Sequence, residues 1–316
     1  MKIFVSLFLI AFVLPLATVA QKSKEVAIKN KNGTLNGTLL TPKKPKKNIP
    51  VVLLIAGSGP TDRNGNSAMT QNNSLRFLAE GLAEKGIASL RYDKQGVGGS
   101  ANASKPEKEL TFDDFVEDAV LWLKYLKSNK QFSSIIVAGH SEGSLLGMLA
   151  CKKEAVDKFI SIAGAGQSID KVLEEQLSQQ LSEVQLKKAK SIMHQLKTGK
   201  FVPSDSIPTE LQPLFRESVQ PFMISWLKHS PAELLGSLEI PVLIVNGTTD
   251  IQVGVEEAKR LKEANEKSQL VVIEGMNHIF KQAPIDREAN IITYMDPKLP
   301  LHPDFLAPIS KFILEN

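Results

Sequence analysis

Ile135-Ile136-Val137-Ala138-Gly139-His140-Ser141-Glu142-Gly143-Ser144-Leu145-Leu146 joins the pattern of a buried strand to that of a helix. It opens with four apolar residues, the pattern of a strand buried on both faces of a parallel sheet. It closes in a helix-like run that continues to Ala150. Between them lies Gly139-His140-Ser141-Glu142-Gly143, a G-x-S-x-G pentapeptide. A serine at the apex of a strand-to-helix turn needs a backbone so sharp that larger flanking side chains would collide, hence the glycines. The pentapeptide alone recurs by chance in unrelated chains. The strand before it and the helix after it make Ser141 a candidate nucleophile.

Working outward, further apolar runs appear at Val51–Ala56, Ile87–Tyr92, Phe159–Ala163, Val242–Val245 and Leu270–Ile273. Helical periodicity is read at Leu75–Lys85 and at Asp113–Lys127, where Phe115, Ala119, Trp122 and Leu126 share a face. A closing helix begins near Phe305. Strands alternating with helices predict a mostly parallel central sheet flanked by helices. Ahead of it, Glu25–Lys29, Asn32-Gly33 and Thr38–Leu40 read as a hairpin. The alternation stops between Gln167 and Leu238. That stretch holds one polar helix around Gln176–Lys190, then Pro203, Pro208, Pro213 and Pro221 among Leu214, Phe215, Phe222, Met223 and Trp226. The expected organisation is an α/β core at 21–166 and 239–316, with a helical cap insertion at 167–238.

The chain has 316 residues, 42% hydrophobic and 23% charged, with a net charge of +4, so disordered and multi-pass membrane classes are disfavoured. Four positive charges on this surface make no nucleic-acid footprint. Lys43, Lys44, Lys46 and Lys47, interrupted by Pro45, read as a solvated loop. The single cysteine, Cys151, allows no internal disulfide and no multi-cysteine zinc site. It falls on the helix after Ser141 and reads as core packing. Five histidines without an H-E-x-x-H pair give a metal no support, and no cofactor is expected. Met1–Ala20 reads as a signal peptide: Lys2, an apolar stretch from Ile3 to Leu16 broken only by Ser6, then small residues at Ala17–Ala20. The expectation is an exported protein, periplasmic or secreted, touching the membrane only during export. An uncleaved anchor is the alternative.

A serine hydroxyl needs a base to remove its proton. His140 adjoins Ser141 and is expected to point away from the catalytic face. His194 and His229 lie in the insertion, and His302 in a proline-rich link. His278 follows the strand Leu270–Ile273, at the sheet edge where open α/β folds place their ligands. It is the expected base. Asp250, past Val242–Val245, is the acid expected to orient it, with Asp170 as the fallback. The order is then Ser141, Asp250, His278. A developing oxyanion needs backbone donors. Glu142 N–H is one candidate, and the other comes from Gly57-Ser58-Gly59-Pro60, with Ser58 preferred over Gly59.

Five segments together carry a resemblance. Ala56–Arg63 reads Ala-Gly-Ser-Gly-Pro-Thr-Asp-Arg and continues into Asn64-Gly65-Asn66. Arg91–Ser100 forms a second characteristic loop, with Gln95 where arginine is commoner. With the Ser141 turn and the Asp250 and His278 loops, the chain resembles the α/β-hydrolase superfamily. More closely, it resembles small bacterial carboxylesterases with that oxyanion loop. The likeness runs from Glu25 to the C-terminus and is weakest across the insertion. It implies hydrolysis of a small-molecule ester through a covalent acyl-enzyme, without cofactor. Rivals are a peptidase or thioesterase on the same fold, and a catalytically silent binding protein. A peptidase commonly anchors a substrate terminus on acidic residues, but Glu174, Glu175 and Glu183 look like a solvated helix face. Asp62 and Arg63 read as a latch for the oxyanion loop, and Asp93 as the shaper of its glycine-rich turn.

Overall fold

The computed structural model describes residues 21–44 and 48–315. The signal-peptide reading, on residues 1–20, lies outside the described residues, as do Pro45, Lys46 and Lys47 of the basic run.

The sheet begins with the hairpin β1 (Lys22–Lys29) and β2 (Thr34–Thr41). Next come β3 (Ile49–Ile55), helix α1 (Ser74–Glu84), β4 (Ala88–Tyr92), α2 (Phe112–Ser128), β5 (Phe132–His140), α3 (Glu142–Lys153) and β6 (Lys158–Ile162). Between β6 and Val242 the described chain makes five α-helices, three short 3₁₀ turns and no strand: α4 (Ile169–Ser178), α5 (Glu183–Lys197), α6 (Gln212–Phe215), α7 (Gln220–Trp226) and α8 (Pro231–Gly236). The core resumes with β7 (Val242–Gly247), α9 (Val255–Ala264), β8 (Gln269–Ile273), α10 (Arg287–Ile292) and α11 (Leu306–Leu314).

Eight strands form one sheet in the order β1-β2-β4-β3-β5-β6-β7-β8. β1 and β2 run antiparallel, and every pairing from β4 to β8 is parallel. Alternate residues of a strand face opposite sides, and the two cores follow that rule. Val51, Leu53, Ile55, Val137 and Ile244 pack against α2, α3 and α9. Val52, Leu54, Ile136, Ile160 and Val245 pack against α1 and α11. The mostly parallel sheet with helices on both faces is the architecture read from the apolar runs.

Three local details differ from the sequence reading. The polar helix around Gln176–Lys190 is two helices, α4 and α5, because Ser182 caps a new one. Its Oγ accepts from Gln185 N–H, and its own N–H donates to Gln185 Oε1 at 3.0 Å. β8 is an edge strand with Val272 40% exposed, so its apolar run is half solvated, not buried. A third, separate hydrophobic cluster, including Ile192, Leu196, Leu211, Phe215 and Met223, lies within the inserted helices.

Beneath the sheet, α2 buries a carboxyl, Asp118, which accepts from Asn30 Nδ2 at 3.1 Å. Its other oxygen, Tyr92 Oη and Trp122 Nε1 are buried and have no hydrogen-bond partner among the described residues. Burial pushes the Asp118 carboxyl up to about 7.

Candidate active site

Ser141 stands between β5 and α3 with φ 54° and ψ −121°. Such backbone costs about 1–3 kcal/mol and persists only where its surroundings over-determine it. They do so here. Ser141 N–H donates to Ile162 C=O, and Ser144 N–H to Ser141 C=O, both at 2.9 Å. A Cβ on Gly139 would fall 2.0 Å from the Gly143 carbonyl oxygen, and one on Gly143 would fall 2.4 Å from that of Ile55. The two glycines therefore let α3 sit directly over the sheet and hold Ser141 in its turn.

His278 and Asp250 meet. His278 Nδ1 donates to Asp250 Oδ2 at 2.8 Å, with side-chain exposures of 4% and 0%. Asp250 Oδ1 accepts from the N–H groups of Gln252, at 2.8 Å, and Val253, at 2.9 Å. One carboxylate oxygen is thus locked by its own loop and the other aims at the imidazole. The His278 loop is tied down by Asn277, whose Oδ1 accepts from Ile279 and Lys281 N–H and whose Nδ2 donates to Thr293 Oγ1 at 2.8 Å. No hydrogen bond joins Ser141 Oγ to His278 among the described residues. Such bonds often close only around substrate. Asp170 is elsewhere: it lies in the first turn of α4, accepts from Ser168 Oγ and pairs with Lys197 at 2.8 Å.

His140 does not point away, as the sequence reading had it. Its Nε2–H donates to the His278 carbonyl at 2.9 Å, and the two rings lie 4.7 Å apart. Phe280 closes on it edge-on. Burial holds His140 well below the ordinary histidine range, and the neighbouring His278 and Lys94 push the same way. The carbonyl partner fixes the neutral tautomer with its proton on Nε2.

Gly57 is buried, while Ser58, Gly59 and Pro60 are exposed. The N–H groups of Ser58, Gly59 and Glu142 have no partner among the described residues. Asp62 Oδ1 accepts from Asn64 and Asn66 N–H, both at 2.8 Å, curling the loop on itself. Arg63 anchors it. Its guanidinium meets Asp93 Oδ2 at 2.8 Å, Glu25 at 2.6 Å and Thr38 Oγ1 at 2.9 Å. Asp93 also takes the N–H of Gly99 at 2.8 Å, closing the glycine-rich turn. The two sequence loops are thus one latched unit.

Ser58, Gly59, Ser141 and Glu142 line a cavity of about 690 Å³, whereas His278 and Asp250 do not reach it. Its apolar wall includes Leu110, Phe115, Leu173, Phe222, Met223 and Trp226, so the inserted helices face Ser141 across it. At the rim, Arg216 pairs with Glu107, which also accepts from Ser218. Lys94 is buried and lines the cavity too; sequence reading missed it, because its partners lie 37 and 48 residues away.

Comparison with known proteins agrees with this geometry. Residues 71–221 match a family model described as serine aminopeptidase, S33. Esterase EstD of Thermotoga maritima is 26% identical over 273 residues, which cover 82% of this chain. The chain spans 63% of the length of that curated relative. Est1E from Butyrivibrio proteoclasticus superposes with a TM-score of 0.56 at 20% identity, covering 85% of this chain and 94% of that one. An esterase of Pyrococcus furiosus does so with a TM-score of 0.59 at 16% identity, covering 93% and 91%. Sheet order, the turn at Ser141 and these superpositions agree: the chain has the α/β-hydrolase fold.

Proposed function

We propose that this chain hydrolyses carboxylic esters through a covalent acyl-enzyme, with Ser141 as nucleophile, His278 as base and Asp250 as its orienting acid. The observation that carries the reading is Ser141 at positive φ, facing an apolar cavity, with a buried His278–Asp250 pair bonded at 2.8 Å. Ser141 Oγ attacks the ester carbonyl carbon while His278 Nε2 takes its proton. The oxyanion is received by the N–H groups of Glu142 and of Ser58 or Gly59. His278 returns the proton to the departing alcohol. Water then attacks the acyl-enzyme by the same route and frees the acid. Asp250 keeps the Nδ1 proton in place and stabilises the imidazolium.

The cavity favours esters over peptides with a free amino terminus. An ammonium anchor needs an unengaged carboxylate. The carboxylates lining the cavity, Glu107 and Glu142, are already paired with Arg216 and Lys94. Glu174 is paired with Lys171 and Lys190, and it does not line the cavity. The apolar lining suits an acyl or alcohol group larger than acetyl, with residues 167–238 acting as the cap that selects it. The leader-like pattern at Met1–Ala20 supports an exported enzyme meeting small-molecule esters outside the cytoplasm.

The test is a fluorophosphonate probe beside a panel of p-nitrophenyl esters from acetate to long chain. The reading expects an adduct on Ser141 and turnover rising with chain length. A folded protein that takes no adduct is a binding protein instead. Faster cleavage of aminoacyl-nitroanilides would make it a peptidase.

A further inference from the structure

Lys94 follows the latch residue Asp93 and has a side chain only 4% exposed. Its Nζ donates to the Gly57 carbonyl at 2.6 Å and lies 3.3 Å from Glu142 Oε1, with the Phe115 ring centroid 5.7 Å away. Gly57 C=O and Ser58 N–H are two ends of one peptide unit. That unit is planar and conjugated. A cation on its oxygen fixes the plane and draws electron density from the nitrogen, making the N–H a stronger donor. The second partner, Glu142, is the residue whose N–H opens α3. One ammonium therefore grips the peptide unit that carries Ser58 N–H and the side chain of Glu142, both residues lining the cavity beside Ser141.

We propose that Lys94 is a positioning residue for the oxyanion hole: it orients and polarises the Gly57–Ser58 peptide while tying that loop to Glu142. The inference rests on the esterase reading above. Packing around Gly57 also restrains this plane. A Cβ on Gly57 would lie 3.3 Å from His140 Nδ1 and from Ser141 Cβ, so the peptide is wedged against the turn without a side chain of its own. Among the described residues the Gly57 carbonyl has no partner other than Lys94.

A merely structural ion pair and a polarising cation differ in what they change. The first alters stability. The second alters the transition state but not ground-state binding. The variants are Lys94→Met, and Lys94→Met with Glu142→Gln, which removes the buried carboxylate left without its ion pair. Each is assayed for kcat and KM on p-nitrophenyl butyrate. Each is also assayed for inhibition by an alkyl trifluoromethyl ketone, whose Ser141 hemiketal places an oxyanion in the hole. Weakening a donor without deleting it should lower kcat roughly 10- to 100-fold, short of the loss when a donor is removed. KM should stay within about twofold, and ketone affinity should fall by the same factor as kcat. Glu142→Gln keeps the ammonium on Gly57 and should lose less kcat than Lys94→Met. It also provides the measurement if the Lys94 variants fold poorly: a collapse of kcat in Glu142→Gln would overturn the proposal. So would a folded Lys94 variant with unchanged kcat, or one whose kcat falls while ketone affinity holds. A wild-type protein with neither turnover nor a fluorophosphonate adduct would instead overturn the esterase reading, and this inference with it.

Discussion

The two walls of the cavity are built by different rules. The wall carrying Ser141 rises from the sheet, and each functional group in it or behind it is held from several directions at once. Asp250 is fixed by two backbone N–H groups and an imidazole. Arg63 bridges β1, β2 and the loop after β4. The opposite wall consists of short helices with a hydrophobic cluster of their own. It meets the core through the cavity lining, through Phe222 and Trp226 packed on Phe112 of α2, through Leu235 in the core cluster, and through exposed ion pairs such as Arg216–Glu107. On the esterase reading proposed above, chemistry that tolerates no displacement sits on the first wall, and choice of substrate, which tolerates many shapes, sits on the second.

That contrast can be broken by mutation, beginning with the largest effect. Ser141→Ala should remove ester turnover by about 10⁶-fold, the scale seen when a serine nucleophile is deleted, with an unchanged circular-dichroism melt. Asp250→Asn retains both backbone bonds but presents the wrong partner to His278, so kcat should drop about 10⁴-fold. A comparable fall in melting temperature would mean that the pair serves the fold instead. On the facing wall, Leu173→Trp should lower kcat/KM for long-chain esters about tenfold and spare acetate. An equal loss across the ester panel would show that the cap shapes chemistry as well as choice.

Smaller effects sharpen the comparison. Burial raises Asp118 to about 7, so the folded chain holds a proton that the unfolded chain releases near 4. Stability therefore falls as pH rises between those values and levels off above the upper one. Asp118→Asn should flatten that decline in thermal melts from pH 4 to 8, with wild-type and variant curves parting most above pH 7. Arg216→Ala breaks an exposed pair worth about 0–1 kcal/mol and should change KM less than about threefold. A larger shift would make the rim contact a gate.

What was legible in the sequence follows the same division. The strands at Val51, Ile135, Phe159 and Val242 announce themselves because a strand covered on both faces must be apolar throughout. Ser141 was readable because its turn has steric demands met only by glycine. Asp250 and His278 were readable because each follows a strand at the sheet's C-terminal edge. Lys94 and His140 were not readable in their roles. Nothing local distinguishes a lysine bound to a carbonyl 37 residues away from a solvated one. His140 would have faced away had only its strand neighbours mattered, yet it fills the space under His278. The cap was legible as an interruption but not as a surface. Which apolar residues face the cavity depends on how short helices lean on one another.

The bond from His140 to the His278 carbonyl has a mechanical consequence. Ser141 and His278, the proposed nucleophile and base, reach the site on strands separated by β6 and β7, and the breathing of a wide sheet would ordinarily be felt as jitter between them. Here the residue covalently joined to Ser141 carries the backbone of His278 directly. The gap between attacking oxygen and proton acceptor is then spanned by a short strut instead of by the width of the sheet. The edge strand β8 can flex without detuning proton transfer.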